Sequence, residues 1–221
     1  MILRNPRLGQ PEATFIRKRS LPVWKRGLDL LGVVVIVPLL LPLLAVVAIY
    51  IKLVSRGPVL FVQSRVGFGG EDFRIYKFRT MHVPDESRDD RHRDYVSSLA
   101  QVDQTLSKPE YFRKDLIAGG EILRKWSIDE LPQLINVVQG NMSLVGPRPD
   151  VLRLNDYDPW QLRRFEVLPG MTGLWQVSGK NRLTHNQMIS LDIEYIESRS
   201  LKNDLKILAR TVGVLLLDRE K

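Results

Sequence analysis

Two adjacent carboxylates, Asp129 and Glu130, lie in the stretch of the sequence best suited to chemistry. Arg124 and Lys125 stand a few residues upstream, so charges of both signs occur close together. A carboxylate can attack phosphorus to form an acyl phosphate, and nearby cations stabilise the charge that develops on the phosphate oxygens. These residue types therefore indicate phosphoryl transfer, with a carboxylate as the attacking group.

The same stretch also fits a structural pattern. Ser127 and Glu130 are spaced as a capping box, S-x-x-E, which begins a helix. Asp129 would suit the positive end of that helix's dipole. Pro132 disturbs this register, because it would occupy a position whose N–H should already be bonded. The helix therefore starts later or has an irregular first turn, and the spacing leaves capping and chemistry both open.

Several basic side chains are candidates for binding phosphate. Arginine donates paired hydrogen bonds that match phosphate oxygens, and Mg²⁺ on oxygen ligands would neutralise a diphosphate. Each cation taken alone is also consistent with a solvated surface charge. The candidates are Lys77, Arg79, Arg124 and Arg148.

Three further patterns predict the elements that position these groups. Val59–Gln63 and Phe73–Phe78 are rich in β-branched and aromatic residues and flank a glycine-rich turn, which predicts a β-hairpin. A helix that ends at Gly140 is predicted by four apolar residues at helical spacing: Leu131, Leu134, Ile135 and Val138. An amphipathic C-terminal helix, for packing or for a membrane surface, is predicted by Leu205, Leu208, Val212 and Leu215.

A long apolar run, Leu30–Ile51, precedes this part of the chain and contains no charged side chain. It passes the length of about 20 residues that a membrane helix needs. Pro38 and Pro42 lie near its middle, and neither half alone crosses a hydrocarbon core of about 30 Å. A break there would let the segment enter and leave on one side, and a kinked complete span is the alternative. Basic residues on both flanks fit two cytoplasmic ends.

Composition limits the class of protein. The net charge of +8 suggests anionic partners such as lipid headgroups, nucleotides or nucleic acid. The basic residues form no long run with interleaved aromatics, which argues against nucleic acid. Without cysteine the chain has no disulfide and no thiolate zinc site, and its three histidines lack metal-ligand spacing. We expect a basic N-terminal arm (1–24), a membrane-associated helix (25–56) and a catalytic domain (57–221).

The chain resembles the bacterial sugar transferase family, the small monotopic polyprenyl-phosphate sugar-1-phosphate transferases. Each matching motif is short, but the set occurs in order over nearly the whole chain. The motifs are Lys25–Asp29, Pro42, Gly57–Val59, Tyr76–Met81, Leu123–Lys125, Ser127–Leu134, Asn136, Gly140–Ser143, Val145–Pro149, Pro169–Gly179 and Asp204–Lys206.

The resemblance implies specific roles for these residues. The membrane helix would be re-entrant and broken at Pro42. Asp129 would be the nucleophile and a Mg²⁺ ligand, and Glu130 would act in acid–base or positioning work. Arg124 and Arg148 would hold phosphate and nucleotide, with Lys77 and Arg79 as supporting cations.

The implied reaction has two steps. The enzyme takes a sugar 1-phosphate from a UDP-sugar and releases UMP, and undecaprenyl phosphate then takes the sugar phosphate from the enzyme. The sugar would be a hexose, of galactose or glucose type, at the start of exopolysaccharide or O-antigen synthesis. The implied fold is mixed α/β and mostly helical. A re-entrant helix in the inner membrane would carry a compact cytoplasmic domain with a small β-hairpin and amphipathic surface helices.

Two departures from the family pattern concern the membrane helix. Many members have a serine before the helix-breaking proline, whereas this chain has Leu41, and Pro38 is additional. Two other functions stay open at this point: a membrane-tethered adaptor without enzymatic activity, and a metal-dependent phosphohydrolase that uses the same carboxylates. Whether the protein is a homo-oligomer is also left open.

Overall fold

The computed structural model describes residues 16–82, 96–98, 103, 115–179 and 182–217. Most of the charge-rich stretch 84–115, for which the sequence predicts a solvated helix or loop, lies outside these residues. The α-helices named below are α1 (Val23–Val54), α2 (Gly120–Lys125), α3 (Leu134–Gln139), α4 (His185–Ser198) and α5 (Leu201–Leu217). The strands are β1 (Leu60–Val66), β2 (Asp72–Phe78), β3 (Ser143–Val145) and β4 (Gly170–Thr172). Short 3₁₀ helices occur at Phe68–Gly70, Ile128–Gln133, Leu154–Asp156, Gln161–Glu166 and Trp175–Val177.

Strands β1 and β2 form the predicted hairpin. They pair antiparallel, from Leu60 opposite Phe78 to Val66 opposite Asp72. Gly69 and Gly70 in the connecting turn have φ angles of 69° and 80°, which glycine adopts without a steric cost. The hairpin prediction is confirmed, although β1 runs farther than Gln63.

Strands β3 and β4 form a short parallel pair that leads into the segment around Arg148. The two backbones approach closely, because a Cβ atom on Gly170 would lie 2.1 Å from the backbone nitrogen of Gly146. The N–H of Gly170 also donates to the carbonyl of Pro147 at 2.8 Å. Glycine at positions 146 and 170 therefore allows the two backbones to approach closely. This contact fixes the position of the chain just after β3.

Helix α1 is long and apolar enough to cross a membrane by its length and composition. It runs for 32 residues with Pro38 and Pro42 inside it, and only 11% of its most apolar window is buried against the rest of the chain. The prediction of a long apolar helix is confirmed. The helix is continuous through both prolines, so the break at Pro42 stays a prediction.

Both ends of α1 pack against later parts of the chain. Near its start, the buried Lys25 ammonium lies 2.7 Å from a carboxylate oxygen of Asp204 on α5. Asp29 accepts hydrogen bonds from the Ser143 hydroxyl and the Leu144 N–H at 2.9 and 3.0 Å. Near its end, the Tyr50 hydroxyl donates to the carbonyl of Ala118 at 3.0 Å. The rest of the described chain therefore holds the helix at both ends.

The main core lies between the hairpin, α3, the β3–β4 pair and the two C-terminal helices. Its best buried members come from all of these elements and include Ile75, Val137, Met142, Val145, Tyr195 and Ile207. The C-terminal helix is confirmed as α5, but its buried side includes Ile207, whereas Leu205 and Val212 of the predicted apolar stripe are exposed. The mostly helical fold with small strands is also confirmed, whereas the division at residues 24 and 56 stays a prediction.

Candidate active site

The carboxylate pair lies in an irregular helical turn. Residues Ile128–Gln133 form a 3₁₀ helix that includes Pro132, and α3 begins only at Leu134. This agrees with the late helix start that Pro132 predicted. Ser127 has a left-handed backbone, with φ 53°, and its side chain makes no capping hydrogen bond. The capping-box interpretation is wrong, because the carboxylate of Glu130 is bound elsewhere.

Glu130 is held by two of the predicted cations. Arg148 donates from both terminal nitrogens to the two carboxylate oxygens, with the Nη1–Oε2 distance at 2.8 Å. Lys77, on β2, donates to Oε1 at 3.1 Å. Burial would raise the pKa of Glu130, but the charges and hydrogen bonds of Arg148 and Lys77 outweigh it and hold that pKa well below its usual range. Glu130 is therefore ionised throughout the neutral range.

Asp129 has the opposite electrostatic environment. It is only 9% exposed, and its burial together with the negative charge of Glu130 raises its pKa to about 6. The charges of Lys77, Arg124 and Arg148 limit the rise. Neighbouring carboxylates whose pKa values are pushed apart in this way are typical of sites where the two groups have different roles. At pH 7 Asp129 is therefore mainly ionised.

The other two predicted cations occupy different places. The Nε of Arg124, on α2, donates to the Thr80 hydroxyl at 2.9 Å, and the positive charge of Arg124 acts on Asp129. Arg79 is buried, and its hydrogen bonds in the structure go to Ser55, Arg56 and Pro58, in the segment between α1 and β1. Arg79 thus holds the end of the apolar helix to the hairpin, and its role as a supporting cation stays a prediction.

Two residues that position the site had no role assigned from the sequence. Asn136 on α3 is fully buried; it accepts from the Tyr76 N–H at 3.1 Å and donates to the carbonyl of Arg74 at 2.6 Å. It therefore fixes β2, which carries Lys77, beside α3. Arg164 contacts the backbone of Arg148. The only available indication was its position next to Arg163, and two adjacent arginines do not reveal which one is buried.

A magnesium ion would fit this site with a single protein carboxylate as its ligand. The described residues contain no group of three or more acidic or histidine side chains that could hold a metal. Mg²⁺ commonly takes only one or two protein carboxylates and completes its shell with water and substrate phosphates. Glu130 is already paired with Arg148 and Lys77, which leaves Asp129 as the carboxylate suited to such an ion.

Comparison with known proteins identifies the family of this chain. The family described as bacterial sugar transferase matches residues 20–218. Over 201 residues the chain is 42% identical to a UDP-glucose:undecaprenyl-phosphate glucose-1-phosphate transferase of Caulobacter vibrioides. Over 205 residues it is 40% identical to a UDP-galactose-lipid carrier transferase of Erwinia amylovora. It is also 35% identical over 197 residues to the exopolysaccharide production protein ExoY of Rhizobium meliloti.

These matches differ in how much of each relative they cover. They include 87%, 91% and 88% of this chain, but 69%, 42% and 86% of the Caulobacter, Erwinia and Rhizobium proteins. The chain thus spans less than half the length of the Erwinia relative. The chain belongs to the bacterial sugar transferase family, which confirms the family and the enzyme class predicted from the ordered motifs.

Proposed function

We propose that this protein transfers a sugar 1-phosphate from a UDP-sugar to undecaprenyl phosphate at the cytoplasmic face of the bacterial inner membrane. The observation that carries the proposal is the pair of neighbouring carboxylates. Asp129 is nearly buried with a raised pKa, and Glu130 beside it is kept ionised by Arg148 and Lys77. This pair lies in a domain that holds both ends of a long apolar helix.

In the first step a carboxylate oxygen of Asp129 attacks the β-phosphorus of the UDP-sugar. The bond from that phosphorus to the bridging oxygen breaks, and UMP leaves with the bonding electrons. The product is an aspartyl phosphosugar. Arg124 and Arg148 supply positive charge for the phosphate oxygens during this displacement, and Lys77 supports them.

In the second step a phosphate oxygen of undecaprenyl phosphate attacks the same phosphorus. The acyl–phosphate bond breaks, Asp129 returns as a carboxylate, and the product is undecaprenyl diphosphate sugar. Glu130 orients Arg148 and Lys77 in both steps, because its two oxygens are bound to them. A Mg²⁺ ion on Asp129 would neutralise the diphosphate of the donor.

The apolar helix would bring the site to its lipid substrate. A straight helix of 32 residues is about 48 Å long, which exceeds a hydrocarbon core of about 30 Å. Lys25 and Tyr50, near its two ends, contact later parts of the described chain, which supports two ends on the same, cytoplasmic side. The re-entrant path that turns at Pro42 is proposed from the family resemblance, since the helix in the structure is continuous there. Reporter fusions before and after the helix test this path. A periplasmic N-terminal reporter would contradict it.

The donor and the pathway follow the curated relatives. Of the three relatives described above, the names of two specify UDP-glucose and UDP-galactose, and the third is an exopolysaccharide production protein. We propose a hexose donor of glucose or galactose type, at the initiation of a polysaccharide repeat unit. UMP release measured from a panel of UDP-sugars, with undecaprenyl phosphate and Mg²⁺, tests donor and reaction together. Failure of a folded protein to release UMP from every donor would contradict the proposal.

A further inference from the structure

One buried arginine, Arg164, forms hydrogen bonds to the segment that carries Arg148. Its Nη2 donates to the backbone carbonyl of Arg148 at 2.7 Å. Its Nη1 lies 3.5 Å from a carboxylate oxygen of Asp150. Arg164 therefore contacts residues on both sides of Pro149, while the side chain of Arg148 extends to Glu130.

This segment depends on outside donors for its position. Pro147 and Pro149 have no N–H, so two of the four residues from Pro147 to Asp150 cannot donate a backbone hydrogen bond. The carbonyl of Pro147 is held by the N–H of Gly170. The carbonyl of Arg148 is held by Arg164. Removing the Arg164 guanidinium would leave the segment fixed at its start and loose at Arg148.

Arg164 is itself fixed from the opposite side. Its side chain is only 5% exposed and lies 2.9 Å from a carboxylate oxygen of Asp192 on α4. It also donates to the Tyr157 hydroxyl at 3.1 Å, and its guanidinium carbon lies 5.6 Å from the centre of that ring. A planar guanidinium with five donors can bond the Arg148 carbonyl, Asp150 and Tyr157 while it lies against Asp192, whereas the single ammonium of lysine cannot.

We propose that Arg164 is a positioning residue that acts on the reaction through Arg148. It ties the backbone of Arg148 to the buried Asp192, so that the Arg148 fork meets both oxygens of Glu130. This inference rests on the proposed function, because it assigns Arg164 to the site where that reaction occurs. Arg164 does not touch the reacting carboxylate, and its effect requires an intact Arg148 side chain.

A double-mutant cycle on the full chain tests this dependence. The proteins are the wild type, Arg148→Met, Arg164→Lys and the double variant, with kcat and KM measured from UMP release. We expect Arg164→Lys to lower kcat/KM about 10- to 100-fold, since a small displacement of a catalytic side chain has effects of this size. In the Arg148→Met background the same change should cost less than about threefold, because its target is already gone.

Arg163→Met is the matched control, because Arg163 is the adjacent residue on the same short helix. Its side chain is 41% exposed and pairs with Glu197 at 2.7 Å. We expect this variant to keep kcat/KM within about twofold of the wild type, as exposed ion pairs contribute little. The division of the loss between kcat and KM should be alike in Arg164→Lys and Arg148→Met.

The inference is overturned if folded Arg164→Lys retains wild-type kcat/KM, or if the losses in the double variant multiply as for independent residues. Lysine keeps the charge opposite Asp192, which favours folding. If thermal unfolding still shows an unfolded variant, Tyr157→Phe, which removes one of the acceptors that hold Arg164, replaces it in the same cycle. We expect Tyr157→Phe to lower kcat/KM about threefold in the wild-type background. In the Arg148→Met background it must cause no further loss. A wild type that releases no UMP would instead contradict the proposed function.

Discussion

Two clusters in this protein each pair basic with acidic side chains, and they differ in whether a carboxylate is left without a paired cation. The active-site cluster joins Lys77, Glu130 and Arg148 next to Asp129, and its three paired side chains are 18% to 26% exposed. The anchor cluster joins Lys25 of α1 to Asp29 and Asp204, and its side chains are at most 2% exposed.

The difference lies in where each carboxylate finds its partners. In the anchor cluster, Asp29 also bonds the Ser143 hydroxyl and the Leu144 N–H, and Asp204 accepts from the Tyr195 hydroxyl. These contacts tie α1 to β3, α4 and α5. In the active-site cluster the cations hold Glu130 and leave Asp129 nearly buried with a raised pKa. The anchor cluster thus joins structural elements, and the active-site cluster leaves one carboxylate available for the proposed attack.

The largest expected effect is on turnover. Asp129→Asn should lower the rate of UMP release by about three orders of magnitude or more, because an amide cannot form the acyl phosphate. The free energy of unfolding should not fall by more than about 1 kcal/mol, since the substitution keeps the shape and removes a buried charge. Initial rates and chemical denaturation in detergent measure both. If Asp129→Asn were inactive because it is unfolded, Asp129 would have a structural role like the anchor cluster, which would contradict the prediction.

A substitution in the anchor cluster should have the opposite result, with a large loss of stability and a small change in turnover. Lys25→Met leaves two buried carboxylates without their cation and should reduce stability by about 3–5 kcal/mol. Turnover per folded molecule should change by less than about threefold, because the cluster lies outside the site. Lys202→Met on the exposed surface of α5 is the control, with an expected change within about 0.5 kcal/mol. An inactive but fully stable Lys25→Met protein would contradict the assignment.

A smaller effect is expected for Arg148→Lys. The change keeps the positive charge but removes the paired donors to Glu130, so kcat/KM should fall about 10- to 100-fold. The control is Arg153→Lys, an arginine five positions along the chain that bonds no residue of the active-site cluster in the structure. Equal activity of wild type and Arg148→Lys would show that charge alone suffices.

The smallest effect is a shift in the pH profile. Attack needs the ionised form of Asp129, whose pKa is raised to about 6, so kcat should fall as pH drops through 6 rather than through 4. If Mg²⁺ binds Asp129, more Mg²⁺ should move this limb to lower pH. A proton bound more tightly in the folded state also means that Asp129 contributes stability below about pH 4, which is lost as pH rises through 6. A limb that stays near pH 4 at low Mg²⁺ would contradict the raised pKa.

The sequence predicted the local elements that short-range patterns determine. The hairpin follows from β-branched and aromatic residues around a glycine turn, and α5 follows from its apolar stripe. The start of α3 was less clear, because Pro132 and the capping pattern of Ser127 and Glu130 pointed in different directions. Capping failed because two distant cations, Lys77 and Arg148, compete for the carboxylate of Glu130.

Long-range partners explain what the sequence left out. Arg79 and Arg164 look alike in the sequence, yet Arg79 bonds the carbonyls that follow α1 and Arg164 supports Arg148. The burial of Lys25 could not be predicted from the sequence either, because its partner Asp204 lies on the last helix, α5. Local spacing gives no information on pairs so far apart in the chain, and only the ordered family motifs pointed to Asp129 as the nucleophile.

The proposed mechanism depends on Asp129 carrying the sugar phosphate between the two substrates. The most direct measurement uses a UDP-sugar radiolabelled at the β-phosphorus, quenched in the absence of undecaprenyl phosphate and followed by peptide mapping. We expect label on the peptide that contains Asp129, stoichiometric UMP release, and transfer of the label to lipid when undecaprenyl phosphate is added. Product formed at the normal rate by a protein that never acquires label at Asp129 would contradict it.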